Sequence, residues 1–339
     1  MLQSVALNPH QATADALMTK AERDLIDIDT IDRFADYGIM AQRGSTDAGD
    51  WMEQHRAEVL NRVASQGWCV VRGLDLHDAR SFRHCIARLG LPLVDDYGDL
   101  PMLPSDDGTT GVFNVTKYPA KNAILFHHEG SHTPTPPRHI FFQCTLPAQE
   151  DGETPMVDAA KMLAELPAEI RRDFETRGLL YRRSFVEGFD VTWQTFFRTD
   201  VREEVEARCA HDGVTVHWQS DGSLEIETPR SAVIRHPDSG REVFFNQVLL
   251  HHPACLEPAV RSGLKGLLKG RSLPRDVYFG DGGVIPDESI AEVLRAHLRV
   301  AACFKWQAGD VVVADNYATS HARRTYKGPR QHHVILSRA

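Results

Sequence analysis

Between Ile124 and Arg138 the chain reads ILFHHEGSHTPTPPR, which sets His127, His128, Glu129 and His132 within six positions. Imidazole and carboxylate side chains this close together are the donors a divalent transition metal takes. If the segment is extended, successive side chains alternate faces, so His127 and Glu129 point one way and His128 the other. Two histidines and one carboxylate on one face of an octahedron hold mononuclear non-haem iron(II) and leave the other positions open. His127 and Glu129 supply two of those donors, and the third has to come from a distant strand. The stretch GDVVVADNYATSHARRTYKGPR offers it: a buried strand through Val311 to Ala314, a turn at Asp315 and Asn316, and His321 just beyond. On its own, a His-x-Glu pair is more often a surface-strand pair than a metal site, so the elements around it have to carry the argument.

Those elements read as helix, strand, helix and then mostly strand. WMEQHRAEVLNRVASQG has apolar positions at helical spacing and ends on glycine, strand-like WCVVRGL follows, and DARSFRHCIARLG is helical again. After Leu91 come short β-rich runs separated by Pro, Gly and Asp: TTGVFNVT, AILFHHE, RHIFFQCTL and TPMVDAA. LAELPAEIRRDFETRG reads as one helix, and the section to about 235 has mixed signals. Strands return in SAVIRHP, REVFFNQV, GDVVVADN and HHVILSR, with the helix DESIAEVLRAHLRVAACF among them. The expected class is α+β and mostly β. It has a double-stranded β-helix (jelly-roll) core of strands paired across long sequence distances, flanking helices and a long insertion. Residues 1–50 read as a polar, helical N-terminal extension, and 51–339 as a single domain with the insertion at about 160–235.

Composition removes several classes. The 339 residues carry a net charge of -9, and nucleic acid or an anionic membrane would require a basic surface instead. No run of eighteen apolar residues and no secretory signal is legible, so no membrane partner is expected. Six scattered cysteines without a CxxC pair fit reduced thiols in the cytoplasm. The expected partner is a small molecule.

In these stretches the chain resembles the clavaminate synthase-like and taurine dioxygenase-like branch of the iron(II)/2-oxoglutarate oxygenases. FHHEGSH matches the family's HxE pair at His127 and Glu129, and the histidine after GDVVVADN matches its late ligand at His321. The resemblance implies Fe(II), 2-oxoglutarate and dioxygen as cofactor and co-substrates, and these three residues as catalytic metal ligands. GETP then places Thr154 on the distal carboxylate of 2-oxoglutarate. The family's closing arginine, which forks onto that carboxylate, falls on Arg330 in YKGPRQHHVILSR, with Arg338 as the alternative. If the chain reverses near Lys327 and Gly328, Val334 faces His321 and the two arginines lie equally far from it. WCVVRGL, PPRHIFFQC, FFNQ and VYFGDGGVIPDE also look like family stretches, so the resemblance spans roughly residues 50–339.

The related halogenases have Gly or Ala at the carboxylate position, and Glu129 fills it here, so hydroxylation of an unactivated C–H is implied rather than halogenation. Desaturation and ring formation stay open at the same iron site. By analogy with the family, Asn114, Lys117, Ser131, His132, Asn246 and Gln247 lie near the metal. Lys117 and the local arginines would meet a carboxylate of an amino acid or amino-acid derivative. Arg323 and Arg324 read as a solvated turn face, His128 as a packing residue, and His251, His252, His332 and His333 as strand-end or core histidines. Two rival classes are a zinc hydrolase, for which no HExxH helix is present, and a non-catalytic cupin-like binding protein, which needs no complete ligand set.

Overall fold

The computed structural model describes residues 32–41, 47–96, 103–115, 118–186, 188, 191–268 and 272–338, so Lys117 lies outside the described residues. The largest layer is a seven-stranded sheet ordered β1 (Gly38–Met40), β2 (Trp68–Arg72), β15 (Val311–Asp315), β6 (His139–Leu146), β18 (Gln331–Ser337), β4 (Phe113–Asn114) and β3 (Leu103–Pro104). Only β1 with β2 is parallel. Its central strands, WCVVR, VVVAD and HIFFQCTL, are rich in β-branched and aromatic residues because both of their faces are covered. One face packs Val71, Phe141, Val313 and Ile335 against Val59, Val63 and Phe82 of the preceding helices. The other turns Ile140, Phe142, Val312, Val334 and Leu336 towards Met156 and Trp306.

Met156 belongs to a second sheet of three strands, β5 (Ile124–His127), β16 (Thr319–Arg323) and β8 (Met156–Asp158), which lies against that inner face. The insertion supplies three strands of a four-stranded antiparallel sheet, β10 (Thr215–Trp218), β11 (Leu224–Arg230) and β9 (Leu179–Phe185), and β14 (Arg275–Phe279) from beyond it completes the sheet. Two ribbons complete the strands: β12 (Val233–Arg235) with β13 (Glu242–Phe244), and β7 (Glu150–Asp151) with β17 (Tyr326–Lys327).

Three expectations need correction. Residues 34–40 are not part of an outer extension: Gly38–Met40 pairs with Val70–Arg72 at the edge of the large sheet. The expected single helix over 163–178 is broken, with helices Ala159–Glu165 and Ala168–Arg177 on either side of an extended Leu166. The ring of Pro167 disfavours the helical region for the residue before it. Val334 does not face His321 as a strand partner. β16 pairs with β5 and β8 while β18 pairs with β6 and β4, and Tyr326–Lys327 bonds to β7 between them. The segment after β16 therefore crosses from one sheet to the other, and Arg330 and Arg338 stand at opposite ends of β18.

Candidate metal centre

β5 and β16 run antiparallel with His127 directly opposite His321, and their ring centroids are 4.2 Å apart. β5 ends at His127, so Glu129 reaches the site from the following turn and not from the strand itself. Gly130, at φ 61°, carries that turn through the left-handed region. One donor atom from each of His127, Glu129 and His321 lies within 4.8 Å of the other two, and His127 Nε2 stands 4.0 Å from Glu129 Oε2. That is too long for a hydrogen bond and leaves room for an ion between them.

The donor chemistry fits iron(II). His127 Nδ1 lies 2.8 Å from the Leu125 carbonyl and donates to it, which leaves the Nε2 lone pair facing the cluster. Burial pushes His321 well below the usual histidine range, so it presents a neutral imidazole, and its Nδ1 has no hydrogen-bond partner among the described residues. Two imidazoles and a carboxylate are the facial donor set of mononuclear non-haem iron.

Asn316 fixes the third donor. Its Oδ1 accepts from the Glu129 N–H at 2.8 Å, and its Nδ2 donates to the carbonyls of Glu129 and Pro137, both at 2.9 Å. The neighbouring Asp315 belongs to another group, with His236 and Asp238, whose donor atoms are as close as those of the triad. That group already contains a cation: Arg138 donates to Asp315 at 2.8 Å and also to Asp238.

Thr154 and Arg330 come together at one end of β18. Thr154 is buried, and its Oγ1 accepts from Trp306 Nε1 at 3.2 Å. Trp306 meets His332 edge to face at 4.7 Å. Arg330 Nε donates to the Gly152 carbonyl at 3.2 Å, two residues before Thr154. Gly152, at φ 80°, allows this approach, since a Cβ there would sit 3.0 Å from Tyr326 and 3.4 Å from Arg330 Cδ. Burial, with a smaller effect from Arg323, pulls Arg330 down to about 10. Arg338 is exposed at the far end of the strand, roughly 25 Å away at about 3.4 Å per residue.

The remaining expected residues divide. Ser131 is buried just past the ligand turn with its Oγ unbonded, and the His132 ring lies 5.5 Å from that of His251. His128 is buried on the opposite face beside Phe245, and desolvation lowers it to about 3. Asn114 is not brought to the metal: it stands opposite His333, on the face turned away from Met156 and Trp306. Its amide is used on Pro104 and Asp106. Asn246 is structural, donating to the Ala232 carbonyl and accepting from the Val248 N–H, and Gln247 donates to the His128 carbonyl. Arg323 and Arg324 are buried, not solvated. Arg323 donates to the carbonyls of Tyr118, Pro119 and Asn122, and Arg324 pairs with Glu153 at 2.8 Å. His251 and His252 are buried at a helix end, and His332 and His333 are buried in β18, so all four are core histidines. Sequence reasoning missed Asn316 and Trp306 as positioning residues. A buried Asn directly after VVVAD was the only signal for the first.

His127 and His321 on paired strands of one sheet, with Glu129 in the turn after β5, form a candidate mononuclear metal site. The chain belongs to the taurine catabolism dioxygenase TauD, TfdA family, whose model matches residues 37–336. It is 38% identical over 226 residues to the dapdiamide synthesis protein DdaC of Enterobacter agglomerans, covering 67% of this chain and 69% of that protein. The fold is similar to that of a taurine dioxygenase from Burkholderia xenovorans, at TM-score 0.52 and 16% identity over 89% of this chain and 86% of the other. It is also similar to PvcB, an Fe, alpha-ketoglutarate dependent oxygenase from an isonitrile synthetic pathway, at TM-score 0.51 and 15% identity over 89% and 85% of the two chains. The protein is an iron(II)- and 2-oxoglutarate-dependent dioxygenase.

Proposed function

We propose that His127, Glu129 and His321 hold the iron, that Thr154 and Arg330 hold 2-oxoglutarate, and that the enzyme hydroxylates an unactivated C–H of an amino-acid-derived metabolite. The observation that carries this reading is the direct opposition of His127 and His321 across β5 and β16, with Glu129 locked beside them. In the same reading the seven- and three-stranded sheets are the two walls of a double-stranded β-helix, and residues 32–338 are one domain with an insertion. The six cysteines, all free thiols, support a cytoplasmic site of action.

Bound iron(II), with 2-oxoglutarate and dioxygen, supplies the oxidising power that removes hydrogen from carbon. The chain's own residues position and shield. Among the described residues Arg330 makes no ion pair, so its guanidinium is desolvated without a compensating carboxylate. A dicarboxylate bound beside it restores that balance by a forked contact. The Thr154 hydroxyl takes the Trp306 N–H on its oxygen, which leaves its own proton to donate to the same carboxylate. Phe142, 5.2 Å from the His321 ring, and Met156 give the ligands an apolar backing that excludes water.

Iron-loaded protein given 2-oxoglutarate should release succinate, and Arg330→Ala should lose that reaction at co-substrate concentrations that saturate the wild type. Equal succinate formation by the variant contradicts this placement of the co-substrate.

A further inference from the structure

A cavity of about 800 Å³ opens between the insertion and the loop that follows the metal ligands, lined among others by His132, Pro136, Phe197, Ile226, Thr228 and Arg230. Its size is that of a site for a drug-sized ligand. Ile226, Thr228 and Arg230 alternate along β11 and so share one face of the insertion sheet. Opposite them on β9, in register, stand Arg183, Tyr181 and Leu179. Tyr181 and His132 meet at 6.1 Å, and His132 lies three residues beyond Glu129. His132 and Thr228, which stands opposite Tyr181 on β11, line the same cavity as Arg230, and His132 follows the proposed ligand turn closely in sequence.

Arg230 is anomalous on that surface. Its Nη1 donates to the adjacent Pro229 carbonyl at 2.8 Å, but its Nε and Nη2 are shut off from solvent with no hydrogen-bond partner among the described residues. Enclosed guanidinium donors without an acceptor are costly, even on a side chain that is only half buried. The carboxylates that line the same cavity are already engaged: Asp96 by the fork of Arg198 and Asp212 by His211. Phe196, Phe197 and Pro134, Pro136 and Pro137 add apolar wall, and Arg208 and the exposed Arg338 line the cavity as well.

Building on the reading of the metal site above, we propose that Arg230 anchors the substrate. It binds the carboxylate of an elongated, amino-acid-derived acid of about dipeptide size, whose other end passes His132 towards His127, Glu129 and His321. Arg230 is a specificity residue in this assignment, and the insertion is the part of the chain that selects the substrate.

The test is calorimetric titration of anaerobic, iron- and 2-oxoglutarate-loaded enzyme with a panel of dipeptides and N-acyl amino acids, each paired with its C-terminal amide. The free acids that bind should do so at least about tenfold more tightly than their amides, the loss expected when a charge-assisted partner is removed in a desolvated site. Arg230→Gln should abolish that preference, and Arg230→Lys should keep part of it. Arg230→Gln should also melt no lower than wild type, since it removes a half-buried charge whose enclosed donors have no partner among the described residues. Equal binding of acids and amides, a preference that survives Arg230→Gln, binding by no member of the panel, or a clear fall in the melting temperature of Arg230→Gln overturns the proposal. The visible band of the loaded wild-type enzyme is read first, because its absence counts against the metal site and not against Arg230.

Discussion

The side-chain amide of Asn316 brackets the backbone of Glu129, accepting from its N–H at 2.8 Å and donating to its carbonyl at 2.9 Å. Glu129 is the one ligand that no strand holds, so this bracket does for it what β5 and β16 do for His127 and His321. Asn316→Ala strands three backbone groups at about 1–3 kcal/mol for each buried one. Urea unfolding should show a loss of at least about 3 kcal/mol, and iron affinity should fall by roughly 10–100-fold. Unchanged iron affinity in a folded Asn316→Ala protein would show that Glu129 needs no such support.

Arg330→Ala should weaken 2-oxoglutarate binding at least tenfold, because losing one half of a buried charge-assisted pair costs about 2–5 kcal/mol. Thr154→Val should lose about 1 kcal/mol, one neutral hydrogen bond. Arg330→Lys should restore little, since an ammonium cannot fork. Anaerobic titration of each variant checks this, with iron content measured in parallel and expected to be normal. Normal binding by Arg330→Ala alongside failure of Arg338→Ala would transfer the role to the other end of β18.

Acid should unfold the metal-free protein early. Desolvation holds His297 and His252 at about 4 and His128 at about 3, below the value of about 6.5 for histidine in an unfolded chain. Between those limits the unfolded state binds more protons, so stability rises with pH up to about 6.5 and is lost as pH falls towards 4. His297 packs on Phe126 and Phe244 away from solvent, so His297→Phe should flatten part of that slope in thermal melts taken at each pH. An unaltered slope would exclude His297 from the acid transition.

The family was legible in the sequence, and residues 37–336 match its model. The spacing of His127 and Glu129 pointed to a metal by itself, while His321 and Thr154 took their roles from the family resemblance. What was not legible depends on distant partners. Arg323 and Arg324 read as a solvated basic pair because the carbonyls of Tyr118, Pro119 and Asn122 and the carboxylate of Glu153 that bury them lie far away in sequence. Alternation placed Glu129 on a strand, whereas β5 stops at His127 and the turn is set by Gly130 and Asn316. Arg330 and Arg338 could not be separated by counting from His321, because β16 and β18 belong to different sheets. Asn114 looked available until its amide was seen spent on Pro104 and Asp106.

The most direct test of the central claim is an anaerobic titration of the metal-free protein with iron(II) and then 2-oxoglutarate, followed in the visible. Wild type should bind one iron per chain and develop a 2-oxoglutarate-dependent absorption band, while His127→Ala, Glu129→Ala and His321→Ala should bind iron weakly and fail to develop the wild-type band. His128→Ala, altered on the opposite face, should retain it. A band of wild-type intensity in any of the three ligand variants, or none in the wild type, would contradict the assignment of His127, Glu129 and His321 as the metal centre.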